Sequence, residues 1–479
     1  MGIKNYFTFI SKYYPECIKD KWLDSYDCVF LDINHCLHRI IHTSIDVSDI
    51  YLKLERLIIN ILQNLNPIYK VIIASDGPAP MAKILLQKKR RLDDVMKSDN
   101  INYDLSSLNF TPGTIFMKEL LNKIQNLVIK IKLLFNVEVE LDMDTPDEAE
   151  IKIKRIMWNI SKKFPEYTQC VISDDGDVLS MSSNFDNIHN IYVMRKNKQE
   201  INIINMGILI DKHTDKYGCG LNPGYDFMAL NIMLGNDYLP KVHYVDFDKI
   251  WTGYKFSIDC GNDGLVLKTS NENMIYINQV FLLDVLTGIA MNMNKRFLNE
   301  FYVKLYNSSI CDDYIDGMLW CLDMYNNGIC KQYDYIYNHN HKSPPHCSGL
   351  YLQLLRRDKM IKPISNTSKP LNNELYSIIL IPKKAKHMIE KKYHNLIDNK
   401  EFEILYKDEH CKDCERLIND IKQLEKKNLI PSISQSVKCE LNKAKLRLKL
   451  HNNNYNHNQL TSEKIYELQK IFDKSFNFF

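Results

Sequence analysis

Short runs of Val, Ile, Leu and Phe that end near acidic residues constrain the fold of this chain more than any other feature. Four such runs lie in the motifs CVFLDIN (28–34), VIIASDGPAP (71–80), VISDDGDVL (171–179) and IMLGNDYLP (232–240), and a fifth acidic motif is TPDEAEIK (145–152). Apolar runs of this kind are typical of parallel strands that are buried on both faces, and ligands gather at the carboxyl ends of such strands. The pattern therefore predicts an α/β fold with an acidic edge on its sheet.

The five motifs carry seven carboxylates, which are Asp32, Asp76, Glu148, Glu150, Asp175, Asp177 and Asp237. Like charges that meet at one edge repel one another by roughly 1 to 4 kcal/mol per close pair at intermediate dielectric. Bound cations make such a cluster tolerable, and hard cations such as Mg²⁺ prefer oxygen ligands. We expect all seven to be catalytic ligands of two Mg²⁺ ions, with Mn²⁺ as a substitute, in a site that hydrolyses phosphodiesters.

A basic segment follows the second acidic motif. Pro78 and Pro80 end the strand and can open a helix, because Pro is acceptable in the first helical turn. One face of that helix would carry Lys83, Gln87, Arg90 and Arg91. Such a face suits a terminal phosphate, since Arg donates paired hydrogen bonds and Lys acts as a point charge. A solvated basic face is the alternative, and the position next to Asp76 favours the phosphate site.

The chain has 479 residues, a length that favours two or three domains. Strand-like runs and helical patterns alternate from residue 28 to about 245, and the segment 118–141 shows a helix followed by a strand. Longer helical segments predominate after residue 245. We expect an α/β domain at 1–245 and a mainly helical domain at 246–479.

Composition restricts the partners and the compartment. The net charge of +3 is small, so a nucleic-acid partner must be held by local basic patches. Thirteen cysteines, an odd number, favour free thiols and a reducing compartment.

Because no run of about 18 apolar residues and no signal-peptide layout occur, we expect a soluble intracellular protein without a membrane partner. His410, Cys411 and Cys414 have a zinc-like spacing, but no second pair follows, which favours ordinary thiols.

Several segments resemble the Xrn family of 5′→3′ exoribonucleases. The family's N-terminal signature resembles MGIKNYFTFISKYYP (1–15), its Asp-x-Asn motif with a following His resembles LDINHCLH (31–38), and its Asp-Gly block resembles SDGPAPMAKILLQKKRR (75–91). GNDYLP (235–240) resembles its Gly-Asn-Asp motif, while PDEAE and SDDGDV depart from the usual patterns but keep both acidic residues. All seven carboxylates therefore have a counterpart. The resemblance covers residues 1–245 well and extends more loosely to about 410.

The resemblance implies a PIN/5′-nuclease-like, mostly parallel sheet flanked by helices, with an Xrn-type helical second domain that covers the active site. It implies processive 5′→3′ degradation of single-stranded, 5′-monophosphorylated RNA to mononucleotides by two metal ions. It further implies that a monomer acts in the cytoplasm, or in a host cytoplasm if the source is viral, with the decapping machinery as a partner. The residues it implies for the substrate are Lys83, Gln87, Arg90 and Arg91 at the 5′-phosphate, His38 on the first base, and Tyr333 and Tyr335 where the family has tryptophans.

Two alternatives remain open at this point. A structure-specific 5′ nuclease that acts on DNA would share the carboxylate sheet, but the sequence after Asp237 lacks the Gly-rich helix-hairpin-helix turn of that class. A non-catalytic RNA-binding scaffold would be expected to lose carboxylates, and all seven are present. The choice between RNA and single-stranded DNA depends on contacts to the 2′-hydroxyl, which sequence does not reveal.

Overall fold

The computed structural model describes residues 6–97, 105–196, 201–268, 275–291, 307–337, 344–357, 360–361, 367–410, 416–417, 420–421, 423–424, 440–447 and 460–476. The chain divides into two compact units that alternate along the sequence. The first comprises Met1–Ile40, Tyr51–Lys83 and Lys123–Pro370, and the second comprises Ile41–Ile50, Ile84–Asn122 and Leu371–Phe479. The domain boundary expected near residue 245 stays a prediction.

The first unit contains a seven-stranded sheet. Its strands are β1 (Ile18–Lys19), β2 (Tyr26–Asp32), β3 (Pro67–Ala74), β4 (Glu138–Asp142), β5 (Gln169–Ile172), β6 (Ile191–Lys196) and β7 (Ile201–Asn205), in the spatial order β1-β7-β6-β5-β2-β3-β4. Pairing is parallel from β6 through β4, while β7 and β1 are added antiparallel. The predicted mostly parallel α/β sheet is confirmed.

The apolar runs of the sequence explain the centre of this sheet. Val29, Phe30 and Leu31 of β2 are fully buried, as expected for a strand covered on both faces. The strand ends are level, because Asp32 pairs with Ala74 of β3, and Ala74 pairs with Asp142 of β4. Residues that follow these strands therefore emerge along one edge.

Helices connect the strands and continue after the sheet. They are α1 (Tyr6–Tyr13), α2 (Ile33–Ile40), α3 (Val47–Leu65), α4 (Met81–Lys97), α5 (Ile115–Phe135), α6 (Ala149–Lys163), α7 (Gly176–Met181), α8 (Met206–Tyr217), α9 (Pro223–Ile232), α10 (Phe247–Asp259), α11 (Gln279–Met291), α12 (Ser308–Asn327), α13 (Cys347–Leu354), α14 (Asn373–Leu380), α15 (His394–Ile397) and α16 (Ser462–Phe476). No described helix is both long and apolar enough to cross a membrane.

Smaller elements complete the described chain. An antiparallel sheet of order β10-β9-β8 is formed by β8 (Val266–Lys268), β9 (Ile275–Asn278) and β10 (Met360–Ile361). Short 3₁₀ segments lie at Pro15–Cys17, Ile41–Thr43, Ser107–Phe110, Ile188–Asn190, Lys383–Met388, Lys391–Tyr393 and Glu403–His410. The ten described cysteines are free thiols. Cys411, Cys414 and the side chain of His410 lie outside the described residues.

The helix and strand expected in residues 118–141 are present as α5 and β4. The helical spacing of Leu121, Ile124, Val128 and Ile131 predicts a buried stripe on this helix, and the observed buried face of α5 differs from it at two positions. Leu121 and Val128 are only half-buried, whereas their neighbours Leu120 and Leu127 are 0% and 4% exposed. Adjacent apolar residues fit two overlapping stripes equally well, and packing chooses between them.

The apolar run before Asp237 was expected to be a strand, and this expectation is wrong. The run is the end of helix α9, which starts with Pro223 in its first turn. Phe227, Met228 and Leu230 are all fully buried, so the helix has no polar face to mark its period. A short, wholly apolar run does not distinguish a buried helix from a buried strand.

Candidate metal centre

The loops at one edge of the parallel sheet carry the predicted carboxylates. Asp32 is the last residue of β2, and Asp76 follows two residues after β3. Glu148 is the N-cap of α6, and Asp175 is the N-cap of α7 directly after β5. Glu150 and Asp177 lie in the first turns of these two helices, and Asp237 lies in the loop after α9. A helix N-terminus favours negative charge, so this placement suits carboxylates.

Three of the carboxylates form a compact donor set. Asp76, Glu148 and Glu150 each place one carboxylate oxygen within 4.8 Å of the other two. The Glu148 side chain is 2% exposed. Its Oε2 accepts a hydrogen bond from the hydroxyl of Tyr238, the residue after Asp237. Oxygen-only donor sets of this kind suit a hard divalent cation.

Lys83 of α4 lies among these carboxylates. Its ammonium contacts Glu148 and lies 3.1 Å from Oδ2 of Asp237 and 3.9 Å from Oε1 of Glu150. Burial alone would lower the pKa of Lys83, but the carboxylates, Glu148 foremost, raise this pKa well above its usual value. Lys83 is therefore charged, and it balances only part of the acidic cluster.

The pKa values of the carboxyl groups show how crowded the cluster is. Burial, with the charge of Asp76 second, raises the pKa of Asp32 to about 8. Burial raises the pKa of Glu148 to about 7, although Lys83 opposes the shift. The pKa of Glu150 and that of Asp177 are raised well above their usual values by burial and by neighbouring carboxylates.

These shifts fit a divalent cation, because a bound cation favours the ionised form of each carboxyl group. Asp177 supplies a second observation. Its Oδ1 is buried and has no hydrogen-bond partner among the residues that the structure describes. A buried carboxylate oxygen without a donor is costly unless an ion satisfies it. The residues present therefore fit metal binding.

Backbone amides hold the first carboxylates in position. The amide of His35 donates to Oδ1 of Asp32 at 3.1 Å. The amide of Asp76 donates to Oδ1 of Asn34 at 3.2 Å, and Oδ1 of Asp76 accepts from the amide of Ala149 at 3.1 Å. The loops after β2, β3 and β4 are thus tied to one another.

Two backbone hydrogen bonds also join the loops that carry Asp76 and Glu148. The amide of Gly77 donates to the carbonyl of Asp147 at 2.7 Å, and the amide of Asp147 donates to the carbonyl of Pro78 at 3.3 Å. A Cβ atom at Gly77 would collide with the carbonyl oxygen of Thr145. Only glycine allows this close approach of two backbones.

The tyrosines predicted to stack on bases are buried in this structure. Tyr333 is 8% exposed, and its hydroxyl donates to Asp147. Tyr335 is 7% exposed, and its ring stacks on Trp320 with centroids 4.6 Å apart. Base stacking by either ring stays a prediction, and it would require these contacts to open.

The predicted 5′-phosphate residues follow one another on α4, which begins at Met81 as the proline pattern predicts. Lys83 contacts the carboxylates, whereas Oε1 of Gln87 accepts from the hydroxyl of Tyr376 at 2.7 Å. Arg90 and Arg91 are half-buried and have partners of their own. His38 is exposed near the end of α2. Substrate binding by these residues stays a prediction.

Sequence reasoning missed two supporting residues, Asp174 and Lys152. Asp174 accepts from Nε of Arg195 at 3.3 Å and lies 3.4 Å from Nε2 of His35, which joins the loops of Asp32 and Asp175. Lys152 is fully buried, and its ammonium donates to the carbonyl of Ser75 at 2.9 Å. The sequence offered a signal for each: Asp174 is the additional acidic residue of the SDDGD motif, and Lys152 lies two residues after Glu150.

Residues 1–197 match the family model described as XRN 5'-3' exonuclease N-terminus. The match shows that the first 197 residues of this chain are similar to that family. The 5'-3' exoribonuclease 1 of Schizosaccharomyces pombe is 28% identical over 212 residues, which are 38% of this chain and 16% of the relative. The protein of that name from Saccharomyces cerevisiae is 25% identical over 217 residues, 38% of this chain and 14% of the relative.

A viral relative matches a longer part of this chain. It is a protein of Acanthamoeba polyphaga mimivirus that is named provisionally as a 5'-3' exonuclease, 24% identical over 289 residues. The match covers 53% of this chain and 45% of the viral protein. The chain thus spans less than half the length of each of these three relatives.

Solved structures show a partial likeness to this chain. The catalytic core of Rad2 in complex with DNA substrate is 14% identical, with a TM-score of 0.36 over 69% of this chain and 87% of that chain. The T5 D15 protein co-crystallised with metal ions is 12% identical, with a TM-score of 0.32 over 62% of this chain and 96% of that chain. The description of the seven-stranded sheet rests on its strand order and pairing.

Proposed function

We propose that this chain belongs to the Xrn family and is a metal-dependent 5′→3′ exoribonuclease. Its proposed substrate is single-stranded RNA with a 5′-monophosphate, which it degrades processively to mononucleotides. The observation that carries the proposal is the meeting of carboxylates from separate motifs around Lys83 at the carboxyl edge of a parallel sheet. The names of the yeast relatives support the same activity.

All seven carboxylates are proposed to hold two Mg²⁺ ions, for which Mn²⁺ would substitute. Divalent ions at such a site would make a water nucleophilic near neutral pH and would stabilise the charge on the leaving oxygen. Tyr238 keeps Glu148 oriented by its hydrogen bond. Lys83 lowers the net negative charge of the cluster, and this lets an RNA phosphate approach.

The direction of degradation would follow from recognition of the 5′ end. Gln87, Arg90 and Arg91 are proposed to bind the 5′-monophosphate, and His38 to stack on the first base. A cap or triphosphate would add bulk and charge at the same position. The decapping machinery, which would supply 5′-monophosphate ends, is the proposed partner of a cytoplasmic monomer.

The experiment that tests the proposal is a time course on 3′-end-labelled single-stranded RNA and DNA and on a labelled DNA flap. Each oligonucleotide carries a 5′-monophosphate, a 5′-triphosphate or a 5′-hydroxyl and is incubated with Mg²⁺, Mn²⁺ or EDTA. We expect loss of 5′-monophosphorylated RNA with the metals only, and mononucleotide products. Cleavage at the branch of a DNA flap with intact single-stranded RNA would support the DNA-acting alternative instead. No hydrolysis of any substrate would overturn the proposal.

The 5′-phosphate assignment is tested by Arg90→Ala. A hydrogen bond to a charged group contributes roughly 1.5 to 3 kcal/mol, so we expect the preference for monophosphate over hydroxyl ends to fall by about tenfold or more. Arg56→Ala is the control, because Arg56 is an exposed arginine of α3 outside the predicted sites. Equal loss of activity on all three 5′ ends would argue against a phosphate contact.

A further inference from the structure

A groove lies on the surface beside the segment that follows Asp237. It encloses about 440 Å³ and is lined mainly by residues 241–249 together with Pro344. This volume is within the range of small-molecule sites, roughly 300 to 1,000 Å³. None of the seven carboxylates lines it. The groove is therefore separate from the candidate metal centre.

Tyr244 has an unusual backbone in this groove. Its φ angle is +66°, a conformation that bulky residues rarely adopt, and the residue is 40% exposed. The flanking backbone is fixed, since the amide of His243 donates to the carbonyl of Pro345 at 3.0 Å and that of Val245 to Val242 at 3.3 Å. The Tyr244 ring meets the ring of His346 edge to face, with centroids 4.8 Å apart. The fold thus presents an aromatic ring at the surface at the expense of backbone strain.

Basic residues line the groove together with this ring. Lys241 and His243 are exposed, and Lys249 lies on the first turns of α10. Among the described residues that line the groove, Asp246 is the one carboxylate, and its Oδ2 is 2.8 Å from the ammonium of Lys249. Lysines beside an exposed aromatic ring form the combination that binds single strands, because bases stack on the ring and phosphates contact the ammonium groups.

The groove lies close to the candidate metal centre along the chain. Gly235 has a φ angle of +88°, and a Cβ atom there would lie 2.7 Å from the amide nitrogen of Lys241. The backbone of Lys241 therefore packs against a residue two positions before Asp237. The four residues from Asp237 to Lys241 span at most about 14 Å of extended chain. A strand held at the metal centre could reach the groove within a few nucleotides.

We propose that this groove binds a segment of single-stranded RNA beyond the nucleotide being cleaved, with Tyr244 stacking on a base and Lys241 and Lys249 contacting phosphates. The proposal rests on the proposed function. The groove would be a second binding site for the RNA, and a second site keeps a shortened strand bound between cleavage steps.

The test is equilibrium binding in EDTA, where no cleavage is expected. Fluorescence anisotropy is measured with labelled 5′-hydroxyl oligoribonucleotides of about 4 and about 12 nucleotides, a range that brackets single-strand sites. Tyr244→Asn removes the ring and suits the left-handed backbone, while Tyr244→Phe keeps the ring. Lys241→Glu with Lys249→Glu reverses the charge of the groove.

We expect Tyr244→Asn and the double lysine variant to weaken binding of the long oligonucleotide by roughly tenfold or more and to abolish most of its advantage over the short one. The double variant should also bind with a shallower salt dependence. Tyr244→Phe should bind as the wild type does. Lys212→Glu is the matched control, because Lys212 also lies on a helix in an i,i+3 pair with an aspartate, Asp215.

Wild-type binding of the long oligonucleotide by both groove variants would overturn the proposal. An equal loss in Lys212→Glu would also overturn it, because the effect would then belong to the overall charge. Thermal unfolding of each variant confirms that the fold is retained. Failure of the wild type to degrade RNA would overturn the proposed function, whereas unchanged binding in these variants overturns only the groove.

Discussion

At the scale of single residues, Lys83 explains how the acidic edge is tolerated. Its buried ammonium contacts carboxylates from two different loops, those of Glu148 and Asp237. Removal of one partner from a buried ion pair costs roughly 3 to 5 kcal/mol, because the other charge is left uncompensated. One ammonium cannot balance seven carboxylates, however, and the excess is what a divalent cation would neutralise.

Asp237→Ala tests the acidic cluster itself. We expect hydrolysis of 5′-monophosphorylated RNA to fall by about a thousandfold, because charge stabilisation by a metal contributes several kcal/mol. Binding of the same RNA in EDTA should persist. Asp211→Ala is the control, since the Asp211 carboxylate on α8 is 58% exposed and distant in sequence from the acidic motifs. Full activity of the Asp237 variant would refute the metal-site assignment.

Asp226 lies outside the site and is expected to make stability depend on pH. It is fully buried, and its carboxyl oxygens accept from the amides of Leu265 and Val266 and from the hydroxyl of Tyr254. Burial nevertheless raises the pKa of Asp226 to about 7. The folded state therefore binds this proton more tightly than the unfolded state, in which the pKa is about 3.9. Stability is lost as the pH rises from about 4 through 7.

Asp226→Asn should remove this loss, because the amide oxygen still accepts both backbone hydrogen bonds and carries no charge. Relative to the wild type, we expect the variant to gain roughly 2 to 4 kcal/mol of unfolding free energy between pH 4 and pH 8, at about 1.4 kcal/mol per pKa unit. Urea denaturation across this pH range measures the difference. Asp215→Asn, at a 71% exposed carboxylate, is the control. Parallel pH profiles for Asp226→Asn and the wild type would contradict the expectation.

At the scale of elements, the site is assembled from strand ends and helix starts. The parallel register aligns the ends of β2, β3 and β4, and helices α6 and α7 begin with Glu148 and Asp175 as their N-caps. The Asp175 side chain accepts from the amide of Asp177 at 3.0 Å, which fixes the first turn of α7. Asp32, Glu148, Glu150, Asp175 and Asp177 are therefore positioned by regular structure, whereas Asp237 lies in a loop.

Gly77→Ala tests the close backbone contact between the loops that carry Asp76 and Glu148. The added methyl would collide with the backbone of Thr145, so the two loops must separate. We expect a loss of roughly 1 to 3 kcal/mol in unfolding free energy, as for other overpacked sites, and a loss of nuclease activity. Gly264→Ala is the control, because its nearest contact would be 3.2 Å away. Equal effects of both substitutions would show that the backbone contact at Gly77 is not specifically required for stability or activity.

At the scale of the whole molecule, the crowding of carboxylates at the acidic edge lowers the stability of the fold, and a bound divalent cation would restore it. Several of its carboxyl groups have raised pKa values because of burial and mutual repulsion. A ligand that binds only the folded state stabilises it in proportion to the logarithm of its concentration. The protein should therefore be more stable with divalent ions than without them.

Thermal unfolding with Mg²⁺, Mn²⁺ and EDTA measures this coupling. At about 100 times the dissociation constant, the wild type should gain about 2.7 kcal/mol, seen as a higher Tm. Asp76→Asn should be more stable than the wild type in EDTA and should lose most of the metal-induced gain. Asp211→Asn should behave as the wild type does. A Tm that is independent of metal in the wild type would exclude a resident divalent cation.

The parts of the structure that depend on local pattern were predictable. The runs before Asp32, Asp76 and Asp175 are strands, and the helix after Pro80 starts where Pro predicts it. The helix before Asp237 was not predictable, because its residues are buried all round and show no period. The contacts of Tyr333 and Tyr335 were also beyond prediction, since a tyrosine in sequence does not reveal whether its ring is covered.

The sequence by itself determined which chemistry this protein can support, because the number and kind of acidic residues and the apolar runs before them depend on local order alone. Only the tertiary structure decided how those residues meet. It placed Lys83 of α4 against Glu148 and Asp237, joined Asp174 to His35 and Arg195, and presented Tyr244 beside two lysines. These contacts join residues that are distant in the chain or strain the backbone, and packing of the whole fold is what selects them.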